Sequence, residues 1–204
     1  MALFKPEAST GTSNFSGICQ STIVDIEDKS ADFEWADIYL SVKLLQDGSK
    51  YTRNANIVGG FETEPNGNVS GGSVIKRMYS FFAAINCDAG INIKGEWEDA
   101  QGNKIDNIAD YLSQYTTDWD GETPGSNGKY LAYFYKQAPK KPGKQAYNVA
   151  HYKIYPTGGN CKEQLQKDID WMKSRGYIKE DTGEAQPIQQ VDADDLGSLA
   201  LDNL

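Results

Sequence analysis

Six lysines and seven aromatic residues crowd into Lys129–Tyr155 without a single acid. Lys129, Lys136, Lys140, Lys141, Lys144 and Lys153 supply the charge. Tyr130, Tyr133, Phe134, Tyr135, Tyr147, Tyr152 and Tyr155 supply flat faces. An ammonium group against a phosphate releases condensed counterions, and an aromatic face stacks a base for about 1–3 kcal/mol with little preference among bases. Together these residue types suit an unpaired polyanion that also offers faces to stack on, as single-stranded nucleic acid does. Strand alternation puts Tyr133 and Tyr135 on the face of Lys129, and Tyr147 on the face of Lys153 and Tyr155. Upstream, Tyr51 and Arg53 alternate onto one face of another strand and extend the candidate set.

The remaining reactive side chains do not assemble into a catalyst. His151 is the sole histidine, and no Ser/His/Asp or Cys/His arrangement can be built around it. Glu96 and Glu98 flank Trp97 as exposed strand acids do. Asp118-Trp119-Asp120-Gly121-Glu122 lacks the ligand spacing of a calcium loop. Gly59-Gly60 and Gly71-Gly72 stand outside any phosphate-binding motif. Cys19, Cys87 and Cys161 are odd in number and far apart, which argues against a zinc site and fits thiols kept reduced in a cytoplasmic setting. The expectation is a binding protein without enzymatic activity, cofactor or metal.

Charge is segregated along the chain. Residues 1–128 hold 9 Lys+Arg against 19 Asp+Glu, residues 129–179 hold 11 against 3, and residues 180–204 hold seven acids and no base. The sequence pI of 4.6 thus hides a basic segment followed by an acidic tail. In that tail Leu196, Leu199, Leu201 and Leu204 are set among Asp192, Asp194, Asp195 and Asp202. Acids alone would keep a tail solvated; the leucines add what a docking peptide needs. No apolar run reaches the roughly 20 residues of a membrane span, and Met1–Pro6 has no apolar signal core.

These groups need a scaffold. Alternation predicts strands over 17–26, 37–45 and 50–58, the last two joined by an Asp47-Gly48 turn. Helical spacing predicts helices over 73–86, capped by Ser73, and over 105–115, with a short strand at 91–97 between them. Two further strands cover 129–136 and 145–155, separated by a loop containing Pro139, Pro142 and Gly143. An Asn160-x-x-Glu163 cap opens a last helix that stops near Gly176. Residues 1–16 read as a flexible arm, 17–179 as the core and 180–204 as the acidic tail. The order predicts a mainly β fold with helices, of the α+β class. It fits a five-stranded Greek-key barrel with inserted and C-terminal helices, the layout of the OB-fold.

A barrel of this kind followed by an acidic tail resembles the single-stranded DNA-binding proteins of bacteriophages, over about Gly17 to Leu204. The resemblance implies DNA binding with little sequence specificity in phage-type replication or recombination. It also implies a tail over Val191–Leu204 that competes with DNA and recruits replication proteins. Such tails often end in phenylalanine, whereas this one ends Leu201-Asp202-Asn203-Leu204. Two other readings fit the composition: a structural or assembly protein of a virus particle, and a carbohydrate-binding β-sandwich.

Overall fold

Period-two apolar runs and a tight Asp47-Gly48 turn build an antiparallel meander at the start of the chain. The computed structural model describes residues 16–117, 128–139 and 146–181. The meander is β1 (Gly17–Asp28), β2 (Ile38–Gln46) and β3 (Thr52–Gly59). A small hairpin follows, β4 (Glu62–Thr63) and β5 (Val69–Gly71), then α1 (Ser73–Ala84). A second hairpin, β6 (Gly90–Ile91) and β7 (Trp97–Glu98), leads to α2 (Ile108–Thr117). The chain closes with β8 (Tyr130–Gln137), β9 (Ala146–Pro156) and α3 (Cys161–Ser174).

Five strands form one antiparallel sheet in the order β3-β2-β1-β8-β9. Ser21 is the pivot: β1 pairs with β8 from Gly17 to Ser21 and with β2 from Ser21 onward. A register shift between Ile23 and Asp25 lets β1 curl from one neighbour to the other. The sheet rolls until β3 and β9 lie side by side, as the odd strand number requires, with those two parallel. This is a nearly closed, OB-like barrel with three α-helices among the described residues, the fold class expected from the order of elements.

The barrel interior is one apolar core. Leu40, Val42, Leu44, Ala55 and Ile57 meet Tyr130, Ala132 and Phe134 from the opposite wall. The helix α1 closes the barrel with Val74, Met78, Phe81 and Phe82. A second core lies outside the barrel, where α3 covers β8 and β9. Leu131, Tyr133 and Tyr135 meet Leu165, Ile169 and Met172 there. From Tyr130 to Tyr135 the strand β8 is therefore buried on both faces, its even residues in the barrel and its odd residues under α3.

Local details depart from the sequence reading in three places. The predicted strand over 91–97 is a hairpin, because Asn92 Oδ1 accepts the N–H of Lys94 and of Glu96 and Gly95 takes a φ of 79°. Helix α1 begins at Ser73 itself, behind Gly72, with no side-chain cap. Asn160 does not close a capping box either; its Oδ1 accepts from Gln164 Nε2 at 3.1 Å. Among the described residues no helix is long and apolar enough to cross a membrane.

Candidate nucleic-acid interface

Most of the basic, tyrosine-rich segment is spent on the fold. Tyr133 and Tyr135 are buried, 7% and 4% exposed, stacked on one another beneath α3. Neither offers a free face to a base, which corrects the expectation drawn from alternation. Their burial follows from α3 lying across the outer side of β8. Lys173 on that helix places its Nζ 4.8 Å from the Tyr133 ring centre, and the Tyr133 hydroxyl donates to Glu180. Lys153 and the Tyr155 hydroxyl both reach Asp168 of α3, at 2.6 and 2.5 Å. Lys129 is held by Asp47 at 2.6 Å, and Lys136 by Asp181 at 2.9 Å. Tyr147 stays half-buried opposite Lys136. Lys140, Lys141 and Lys144 lie outside the described residues, as do the tail positions Asp192, Asp194, Asp195, Leu196, Leu199, Leu201, Asp202 and Leu204.

The first two acids of the tail are already engaged. Ala138 N–H donates to Lys179 O at 3.0 Å and Asp181 N–H to Lys136 O at 2.8 Å. This short pairing takes the edge of β8 that β1 vacates beyond Phe134. Glu180 also meets Lys173 at 2.8 Å. Burial works against its charge, but the bonds from Lys173 and Tyr133 outweigh that and hold its carboxyl below the usual range.

The exposed chemistry of the basic segment sits further along, at the end of α3. Trp171 and Tyr177 are 47% and 63% exposed, with ring centres 5.5 Å apart. Lys173, Arg175 and Lys179 alternate with them in sequence, and Arg175 and Lys179 are exposed. This is the basic–aromatic interleaving that suits single strands, displaced from the stretch that sequence reading favoured. The signal was present in Trp171-Met172-Lys173-Ser174-Arg175-Gly176-Tyr177. Its apolar stripe is Leu165, Ile169 and Met172, which leaves Trp171 off the core face.

The topology gathers further cations at one end of the barrel. Because β3 and β9 run parallel, the β2–β3 turn and the β8–β9 connection share that end. Tyr51, 44% exposed, stands there with Lys50 Nζ 5.5 Å and the Arg53 guanidinium 5.8 Å from its ring. Lys179 is joined to the start of the β8–β9 connection through Ala138. Two acids of β1 on the same sheet are paired, since Asp25 meets Lys43 at 2.5 Å and Glu27 meets Lys29 at 2.6 Å.

Between β3 and β9 the barrel closes through side chains. The Asn56 N–H donates to His151 Nδ1 at 3.2 Å, and Arg77 Nη1 donates to Val58 O at 3.0 Å. Two residues of advance on β8, Ala132 to Phe134, are matched by five on β9, Ile154 to Val149. In that irregular stretch Tyr152 takes a φ of 50°. A non-glycine residue there costs about 1–3 kcal/mol. Successive strand residues normally point to opposite sides. Here the break turns His151 and Tyr152 into the same cavity, of about 330 Å³, with Asn56, Arg77, Trp171 and Tyr177 also in its walls. Arg77 lies 4.9 Å from the Tyr152 ring centre.

Burial lowers the pKa of His151 from its ordinary 6.5, consistent with a neutral ring that accepts from Asn56. A depressed histidine pKa adds stability above the unfolded value, and that stability is lost as pH falls through the folded value. Denaturant midpoints measured across pH 6.5 and below should therefore drop, and His151→Gln should remove that step. An unchanged midpoint in the wild-type chain would show that the seam does not depend on the neutral ring.

No protein-family model, curated protein or solved structure matches this chain. Among the described residues no group of histidine, cysteine and carboxylate side chains could hold a metal ion.

Proposed function

We propose that this protein binds single-stranded DNA with little sequence preference. The observation that carries the reading is the exposed Trp171–Tyr177 pair interleaved with Lys173, Arg175 and Lys179. Bases stack on the two rings while the exposed Arg175 and Lys179 take phosphates, and Lys173 joins them when Glu180 leaves it. The basic end near Tyr51 and Arg53 continues the track. The OB-like barrel followed by an acidic tail, the layout of the phage proteins, supports the same reading. Titration of an unstructured oligonucleotide at two salt concentrations tests it. Each phosphate contact on a single strand should contribute about 0.7 to the slope of log affinity against log salt. A flat slope would sink the proposal.

The tail acts as a competitor for the same surface and as a docking segment for replication proteins. Its acids begin at Glu180 and Asp181, which sit on Lys173 and Lys136. A tethered anion of that kind reaches an effective concentration in the millimolar range. Removing residues 180–204 should tighten oligonucleotide binding at low salt, with the gain shrinking as salt rises. Equal affinities for the truncated and full-length chains at low salt would exclude competition.

One feature favours the carbohydrate reading instead. Phe33, Trp35 and Tyr39 cluster in and beside the β1–β2 loop, with Phe33 and Tyr39 stacked at 4.9 Å and Trp35 63% exposed. Asp32 and Glu34 flank them, which suits a neutral sugar better than a phosphate chain. Binding of an oligosaccharide without salt dependence would select this alternative.

A further inference from the structure

We propose that the β1–β2 loop docks on the basic end of a second copy of this chain, imitating there the single strand that this end takes. The inference rests on the single-stranded DNA reading and adds to it a self-association of the free protein that DNA reverses.

The loop is built to hold its rings outward. Asp28 Oδ1 accepts the N–H and the hydroxyl of Ser30 at 2.9 and 2.6 Å, and Ser30 Oγ accepts the N–H of Tyr39 at 2.9 Å. The Lys29 N–H donates to Tyr39 O at 2.8 Å, and the Ala36 N–H to Phe33 O at 3.0 Å. Asp37 Oδ2 accepts the Phe61 N–H at 2.6 Å and ties the end of the loop to the chain beyond β3. On this frame Phe33 stacks on Tyr39 at 4.9 Å, and Trp35 stands 63% exposed beside both. Exposed aromatic rings on a preorganised loop make good anchors, because little ordering remains to be done on binding.

Charge decides what these anchors fit. Residues 28–37 hold four acids and one base, whereas residues 48–54 hold two bases and no acid. Lys29, the one base, is paired with Glu27. Asp32, Glu34 and Lys50 are exposed, and none of them makes an ion pair among the described residues. A ring beside a carboxylate offers the same two chemistries as a base beside its phosphate. Tyr51, with Lys50 and Arg53 around its ring, is complementary to both.

The topology makes the contact intermolecular. The strand β2 runs from the loop to the β2–β3 turn, and its nine residues span about 30 Å at about 3.3 Å each. The loop therefore cannot reach the basic group of its own chain. One patch meeting a different patch on the next copy is a heterologous contact, which continues as an open chain unless a rotation closes it into a ring. One loop on one turn buries little surface, so the contact is weak and transient. A strand that engages the whole basic surface can then displace it.

The test is sedimentation velocity of the full chain at low salt over a range of concentrations. The average mass should climb with concentration, and should return to one chain at high salt or on adding a short oligo-dT. Glu34→Gln with Trp35→Ala should stay at one chain, as should Lys50→Gln with Tyr51→Ala. All four positions are exposed, so these changes should cost little stability. Mixed in equal amounts, the two double variants should reach twice the mass of one chain and stop, because each keeps one working end. A wild-type chain that stays single, or a mixture that does not pair, would overturn the contact. Single chains that bind an oligosaccharide through Trp35 would give the loop to a sugar and overturn it too. An oligonucleotide that binds without separating the copies would overturn the imitation of a strand. Self-association without any oligonucleotide binding would overturn the single-strand reading and leave the end-to-end contact standing.

Discussion

Replacing Trp171 and Tyr177 together with alanine should lower oligonucleotide affinity at least about thirty-fold while leaving the unfolding midpoint nearly unchanged. Each stacked base is worth about 1–3 kcal/mol, and about 1.4 kcal/mol is tenfold in affinity. Trp171 is about half exposed and Tyr177 more so, and both stand at the rim of a surface cavity outside the two apolar cores, so their removal should cost little stability. The measurement is fluorescence anisotropy of a labelled oligonucleotide beside thermal unfolding of the same samples. Wild-type affinity in the double variant would remove the α3 surface from the site. A large fall in unfolding midpoint would mean that the rings hold α3 in place, and would strip the affinity loss of its meaning.

Where the sequence was readable, the signal was alternation with clean punctuation. Ile38, Leu40, Val42 and Leu44 all point into the barrel, and the Asp47-Gly48 turn fixes their partner strand. Val74, Met78 and Phe82 recur at helical spacing and are fully buried. The OB-like order could be read because short connections leave few ways to arrange five strands. The site was harder. Lys129-Tyr130-Leu131-Ala132-Tyr133-Phe134-Tyr135-Lys136 has no polar face, the mark of a strand covered on both sides. Read as one free face and one buried face, it put Tyr133 and Tyr135 in solvent. The lysines around it were equally ambiguous, because their partners Asp47, Asp168 and Asp181 are remote in sequence. Phe33 and Trp35 carried a usable signal, aromatics in a loop with few apolar neighbours to bury them. Nothing local marks the β3–β9 seam. It depends on Asn56 and His151, 95 residues apart, and on the break at Tyr152.

The fate of Tyr133 separates the two ways of reading the basic segment. As a stacking residue, Tyr133→Ala would weaken DNA binding and leave stability alone. As a core residue under α3, the same change should behave in reverse. Truncating a buried aromatic to alanine costs about 3–5 kcal/mol, set against a domain stability of about 5–15 kcal/mol. Tyr133→Ala should therefore unfold at much lower denaturant. Tyr133→Phe keeps the ring and loses the bond to Glu180, so its cost should be smaller, about 1.5–3 kcal/mol for a hydrogen bond to a charged acceptor. That bond also ties the start of the acidic tail to the core. Tyr133→Phe should accordingly loosen the tail's hold on Lys173 and modestly tighten oligonucleotide binding at low salt, whereas a stacking role predicts no gain. Denaturant unfolding of both variants, with anisotropy titrations alongside, decides the matter. Full stability in Tyr133→Ala would show that α3 does not cover this face, and would return Tyr133 and Tyr135 to the list of bases' stacking partners.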